Sequence, residues 1–199
     1  MADQLEFNRI CVYCASSSKT PEPFLDHARL FARLLAENGI HLVFGGSRTG
    51  IMGVLADEMM KQGGHTIGIM PRFMKEVEWH HDALSEMITT ETMAERKEAM
   101  IHNVDAVVTF PGGCGTMEEF METLSLKRLG LFPKPMIILN SFGFYNPLID
   151  LLHAMLDNHF LGPRHREMWT IVEKPEDILP AILADPGWDP EARSFALVR

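Results

Sequence analysis

Residues 105–120 read Asp-Ala-Val-Val-Thr-Phe-Pro-Gly-Gly-Cys-Gly-Thr-Met-Glu-Glu-Phe. An apolar run leads into Pro111-Gly112-Gly113-Cys114-Gly115-Thr116, and a helical pattern carrying Glu118 and Glu119 follows at once. Glycine lets a backbone come close to a ligand because no Cβ stands in the way. The N–H groups that open a helix have no partner within it, and together with the helix dipole they favour an anion. A cradle of this kind with two carboxylates just behind it points to chemistry on a phosphorylated compound. A carboxylate beside a phosphate is costly unless a cation intervenes. Arg96 and Lys97, in Met93-Ala-Glu-Arg-Lys-Glu-Ala-Met100, are the candidate cations. The planar fork of Arg96 can bridge Glu119 and a ligand oxygen. Gly45-Gly-Ser-Arg-Thr-Gly-Ile-Met-Gly53 repeats the order of strand, glycines and helix. Gly45, Gly46 and Ser47 are therefore expected in a second wall of the site, with Ser47, Arg48 or Thr49 donating to the ligand.

These glycine patterns also exclude. The P-loop fails because Ile51 follows Gly50 where that motif needs Lys. Gly113-Cys-Gly115 begins the dinucleotide pattern, but Glu118 stands where its third Gly belongs, and a carboxylate there would repel a pyrophosphate. A mononucleotide or a sugar phosphate remains. A pyridoxal-phosphate decarboxylase would need a Schiff-base lysine, and Lys97 is the one candidate near the loop, so no cofactor is expected. Plainer readings stand beside the functional ones. An acidic pair in a first turn complements the helix dipole, Arg96 and Lys97 can make i,i+4 pairs, and Met117, Phe120, Met121 and Leu124 fall at core spacing. Cys11-Val-Tyr-Cys14 lies in a strand pattern, where positions i and i+3 face opposite sides, so both read as buried small hydrophobes. His80-His81, His159 and His165 lack a ligand cluster at metal spacing, and no metal is expected. The segment 140–146, with Phe142, Phe144 and Tyr145, fits a base-stacking loop or a packed one equally.

The elements that must position these residues alternate along the chain. Short apolar strands are expected at 10–14, 42–44, 66–70, 87–89, 106–110, 136–139 and 171–172. Helices are expected at 22–38, 50–62, 92–102, 116–129, 146–158 and 176–184, the third opened by a Thr92…Glu95 capping box. Strands that are apolar throughout, separated by helices, predict an α/β fold: a Rossmann-like doubly wound parallel sheet with helices on both faces. Ligands in such sheets bind at the carboxyl ends of the strands, where Gly45-Gly46 and Pro111-Gly112-Gly113 both fall. The tail after Asp185 reads as a loosely packed loop.

The 199 residues suffice for one substantial core, read as a single nucleotide-binding domain over 1–199. With 27 Asp and Glu against 18 Lys and Arg, the formal charge is -9, and no basic run offers a broad nucleic-acid surface. The opening Met1–Phe7 is acidic without a signal-peptide pattern, and no apolar run reaches a membrane span. Three cysteines cannot all pair, so the expectation is a reduced, cytoplasmic protein bound to neither nucleic acid nor membrane.

Pro111-Gly-Gly-Cys-Gly-Thr-Met-Glu-Glu119 resembles the PGGxGTxxE signature of the Lonely guy (LOG) family of cytokinin riboside 5′-monophosphate phosphoribohydrolases, long labelled "lysine decarboxylase". Met93-Ala-Glu-Arg-Lys97 is similar to the family's MHERK segment, Cys14-Ala-Ser-Ser17 to its CGSS, and Gly45-Gly46 through Gly50-Ile-Met-Gly53 to its GGG…GLMG. The resemblance spans roughly residues 8–183. It implies that Arg96 and Glu119 are the catalytic pair, and that Lys97, the run Gly112, Gly113, Cys114, Gly115, Thr116, Met117 and Glu118, and Ser125 hold a nucleoside monophosphate. It implies a homodimer with sites near the subunit interface, and hydrolysis of the N-glycosidic bond of a cytokinin riboside 5′-monophosphate or AMP to base and ribose 5-phosphate. Ala94, Ala15, Ser47 and Ser125 depart from the pattern, which has His, Gly, Gly and Thr there. A molybdenum-cofactor carrier, which some LOG-like proteins are, is the rival that the same cradle would serve.

Overall fold

The computed structural model describes residues 7–77 and 79–196. Seven strands form one sheet: β1 (Arg9–Tyr13), β2 (His41–Phe44), β3 (Thr66–Pro71), β4 (Glu86–Thr90), β5 (Ala106–Thr109), β6 (Met136–Leu139) and β7 (Thr170–Val172). All pairings are parallel, in the order β4-β3-β2-β1-β5-β6-β7. The chain builds outward from β1 to β4, returns, and builds outward again from β5. The order therefore reverses between β1 and β5, and the crevice at such a reversal is where doubly wound sheets take ligands.

The helices are α1 (Glu22–Glu37), α2 (Gly50–Lys61), α3 (Arg72–Lys75), α4 (Met93–Ile101), α5 (Cys114–Arg128), α6 (Asn146–Asp157) and α7 (Ile178–Leu183). Side chains alternate across each strand, so two cores result. Val12, Phe44, Val108 and Ile137 point to α1, α2 and α7, whereas Cys11, Val43, Val107 and Ile138 point to α4, α5 and α6. Cys11 and Cys14 fall in opposite cores as unpaired, buried thiols. No helix among the described residues is long and apolar enough to cross a membrane.

Most expected elements recur within two residues, and three details differ. The helix after the glycine loop starts at Cys114, with Gly113 as its N-cap and Met117 N–H bonded to Gly113 O at 3.1 Å. Glu118 and Glu119 thus stand in its second turn, not its first. The Thr92 hydroxyl accepts from Glu95 N–H at 3.1 Å as expected, but the Glu95 carboxylate takes Glu91 N–H instead of closing the box. The tail is packed, not loose: Trp188, Ala192 and Ala196 are buried, and Arg128 donates to Ala196 O at 2.6 Å. The tail lies against Gly130, where a side chain would meet the Pro190 carbonyl.

A candidate active site at the switch point

Three loops meet at the carboxyl ends of β1, β2 and β5. Ala15 N–H bonds to Pro111 O at 3.2 Å, and Met52 N–H bonds to Ala15 O at 3.2 Å. The Thr49 hydroxyl donates to Ser16 O at 2.6 Å. Gly50 makes the junction possible: its φ is +65°, and a Cβ there would lie 2.6 Å from Ser16 C.

Between these loops opens a cleft of about 800 Å³. One wall is the start of α5, with Gly113, Cys114, Gly115 and Thr116. The facing polar wall is Ser16 and Ser17 after β1 with Ser47, Arg48 and Thr49 after β2. The N–H groups of Cys114, Gly115 and Thr116 occupy the first turn, where no helical carbonyl can take them. The third wall is apolar: Met52, Met70, Met74, Val77, Trp79 and Met93. Trp79 and Val77 are more than half exposed there. Their segment is strapped to the sheet by Arg48 N–H to Trp79 O at 3.2 Å and His81 N–H to Gly46 O at 2.9 Å.

Arg96 and Glu119 close the deep end. The Arg96 Nη1 lies 2.7 Å from Glu119 Oε1, with the side chains 8% and 3% exposed. Arg96 Nε donates to Ile69 O at 3.2 Å. The guanidinium passes under Gly45, where a Cβ would come within 2.5 Å of Nη2. Glu119 is held through its backbone too, since the buried Thr123 hydroxyl donates to Glu119 O at 3.0 Å and meets the Tyr13 hydroxyl at 2.8 Å. Burial raises the Glu119 carboxyl above the ordinary glutamate value; the adjacent Arg96 charge opposes this without cancelling it. Cys14, on the cleft floor, is pushed well above the usual thiol range, first by burial and then by Glu119, so it is no ready nucleophile.

The expected site residues divide accordingly. Arg96, Glu119, Gly113, Cys114, Gly115, Thr116, Gly45 and Ser47 line the cleft. Gly112 and Gly46 lie behind it: a Cβ on Gly112 would strike the Thr116 side chain, and Gly46 holds φ +78° behind Ser47. Met117 is half-buried against the core. Lys97 is engaged by Glu118 and Glu122, outside the cleft lining, and these partners hold its ammonium above the ordinary value. Ser125 is exposed, its hydroxyl turned back to Met121 O at 2.8 Å. The 140–146 segment is not part of this cleft: Phe142 stacks on His27 with ring centroids 4.7 Å apart, and it and Phe144 are exposed elsewhere on the surface. Sequence reasoning missed the methionine wall, because Met70 and Met93 sit at positions indistinguishable from core. Trp79, an aromatic residue in a polar irregular stretch, was the available signal.

Fold and cleft together define a Rossmann-like α/β protein with a ligand crevice at its switch point. More specifically, the chain belongs to the Lonely guy (LOG) family: the family model described as "Possible lysine decarboxylase" matches residues 52–182. A cytokinin riboside 5′-monophosphate phosphoribohydrolase of Arabidopsis thaliana is 37% identical over 169 residues, covering 85% of this chain and 78% of the relative. A second from the same plant is 33% identical, covering 94% and 86%. Among solved structures, the molybdenum cofactor binding protein of Rippkaea orientalis shares the fold with TM-score 0.67 at 22% identity, over 90% of this chain and 98% of that one. The molybdenum cofactor carrier protein of Chlamydomonas reinhardtii matches with TM-score 0.67 at 21% identity, over 89% and 96%.

Proposed function

We propose that the protein hydrolyses the N-glycosidic bond of a nucleoside 5′-monophosphate, releasing the base and ribose 5-phosphate. The observation that carries this reading is the buried Arg96–Glu119 pair, 2.7 Å apart, at the deep end of the cleft that the α5 N-terminus also walls. Breaking the bond to C1′ builds positive charge on the ribose, as in other glycoside hydrolyses. The Glu119 carboxylate faces that charge, stabilises it, and orients or deprotonates the attacking water. Arg96 keeps the carboxylate in place and offers its remaining donors to a ribose or phosphate oxygen. The amides of Cys114, Gly115 and Thr116 take the 5′-phosphate, so binding far from C1′ positions the reacting carbon. The methionine and Trp79 wall receives the base. Its apolar character favours a prenylated adenine over adenine itself, in keeping with the names of the curated relatives.

A homodimer belongs to this proposal. Lys97, Glu118 and Ser125 lie outside the cleft lining of their own chain, and a neighbouring copy would give them a way to reach a ligand. Sedimentation of the purified protein checks it. The activity is tested by incubating the protein with AMP and with the isopentenyladenosine monophosphate and measuring free ribose 5-phosphate. Release from either supports the hydrolase. Saturable binding without release would instead favour a carrier, the role named for the Chlamydomonas reinhardtii neighbour.

A further inference from the structure

Tyr145 lies outside the cleft, immediately before α6, and is buried. Its hydroxyl donates to Phe110 O at 2.6 Å. The ladder between β5 and β6 runs only to Thr109 and Ile138, so the Phe110 carbonyl lies just past it, inside the core. Pro111 comes next, its carbonyl tied to Ala15 N–H, and then Gly112. Burial lifts the Tyr145 phenol above its ordinary value, and the nearby Cys14 thiol adds to this while the Gly112 backbone N–H opposes it. Tyr145 is itself anchored. Its N–H donates to Asn140 Oδ1 at 2.7 Å, Asn140 Nδ2 donates to Asn146 Oδ1 at 2.9 Å, and Asn140 N–H bonds to Val172 O at 2.7 Å. One oxygen, fixed from the β6 and β7 side of the sheet, therefore braces the turn around Pro111 just before the cradle begins.

The geometry points to Tyr145 as a positioning residue, whose hydroxyl sets how far the turn at Pro111-Gly112 advances the Gly113–Thr116 amides toward a ligand phosphate. This rests on the phosphate-cradle reading of the cleft. The competing account is that the phenol only satisfies a buried carbonyl. In that case its loss would lower stability and leave ligand preference alone. Small displacements of a positioning group weaken binding and catalysis steeply, so the two accounts part in what they do to discrimination.

The test compares a nucleoside monophosphate with the matching nucleoside in wild type, Tyr145→Phe and Ile182→Val. Ile182 belongs to the core on the other face of the sheet, so its variant is a destabilised control remote from the cradle. Tyr145→Phe is expected to lose about tenfold in kcat/KM for the monophosphate, mostly through KM, with nucleoside binding unchanged. Ile182→Val is expected to keep the wild-type ratio. A Tyr145→Phe protein that is less stable but discriminates as wild type does would overturn the inference. Wild type with no preference for the phosphate would defeat the cradle reading instead. Should Tyr145→Phe not fold, Asn140→Ser loosens the same ring while keeping the phenol. A partial loss of the ratio then supports the role, and an unchanged ratio rejects it.

Discussion

The Arg96 guanidinium reaches Glu119 only by passing beneath Gly45, whose missing side chain leaves room for Nη2. The ion pair and the glycine are one construction. A Gly45→Ala protein has to move Arg96 or Met52, both within 3 Å of the new methyl. We expect it to fold with reduced stability and to lose most turnover, because the displaced group is the partner of Glu119. Turnover near wild type would separate the pair from the reaction.

Neither Arg96 nor Glu119 sits in the apolar periodicity, yet both side chains are buried, so substitutions there carry a cost in stability. Removing one member of a buried pair leaves the other charge unmatched. Arg96→Ala is expected to lower stability by about 3–5 kcal/mol. Glu119→Gln keeps the shape and one acceptor and should cost less. Both should reduce kcat by about 10²-fold or more, the scale of a lost electrostatic or acid–base group. Urea unfolding beside single-turnover assays separates the effects. A Glu119→Gln enzyme with wild-type kcat would remove Glu119 from the mechanism.

The same burial makes a prediction about pH. The Glu119 value is raised in the folded chain, so between its unfolded and folded values the native state binds more protons than the unfolded one. The contribution of this group to stability is present below the unfolded value and is lost as pH rises through the folded one. Activity should run the opposite way, because the proposed reaction uses the carboxylate. The acid limb of kcat/KM should therefore fall above the ordinary glutamate range. A substrate phosphate also titrates near pH 6, so the limb must be matched to a direct titration of Glu119 in the free protein. A free-protein value at or below that of an exposed glutamate would contradict the assignment.

Gly113 and Gly115 are glycines that the fold alone does not call for. A Cβ on either meets nothing within 4 Å, and neither has a positive φ. Their chain geometry thus does not require glycine. Gly115 lies in the first turn of α5, where alanine is the better helix former by up to about 1 kcal/mol. If the backbone must touch a phosphate, Gly115→Ala should be as stable as wild type or more so, with KM for the monophosphate raised at least about tenfold. Unchanged KM would show that the ligand stays off this turn.

The fold is readable because the central strands are apolar on both sides and most helices close on a turn signal, which leaves little besides a doubly wound sheet. Glu118 and Glu119 were found through their neighbours, but their turn was misplaced. Gly113-Cys-Gly115 looks like loop by composition, and only the bond from Met117 N–H to Gly113 O shows that the helix has already begun. The tail was misjudged because Pro186, Gly187 and Pro190 signal loop, while the pocket that receives Trp188 is assembled from residues distant in the chain. Trp79 joins the cleft through the tertiary bonds of the strap, which no local pattern encodes.

Lys127 makes a test independent of function. It is fully buried, donates to Lys134 O at 2.7 Å, and burial lowers it to about 8 despite the opposing pull of Asp185. Between that value and the unfolded one the unfolded chain holds more protons, so this contribution to stability rises with pH. Wild type should gain on Lys127→Met by on the order of 3 kcal/mol between pH 7 and pH 10.5. Parallel stability profiles for the two proteins would refute the buried charge.

In the proposed reaction the apolar wall receives the base, so it is where a preference between bases would be set. Trp79 and Val77 stand half out of the protein at the mouth of the cleft, an exposure that ordinary core packing does not explain. Covering them with a prenyl group would bury apolar surface that adenine alone leaves wet, at about 25 cal/mol per Å². Trp79→Ala should therefore act selectively. Turnover of the isopentenyladenosine monophosphate should fall about tenfold or more in kcat/KM, whereas that of AMP falls little, because the phosphate cradle and the Arg96–Glu119 pair are untouched. Equal losses on both substrates would mean that Trp79 supports the strap without contacting the base. A larger loss on AMP would mean that the ring stacks on the purine and that the prenyl group lies elsewhere.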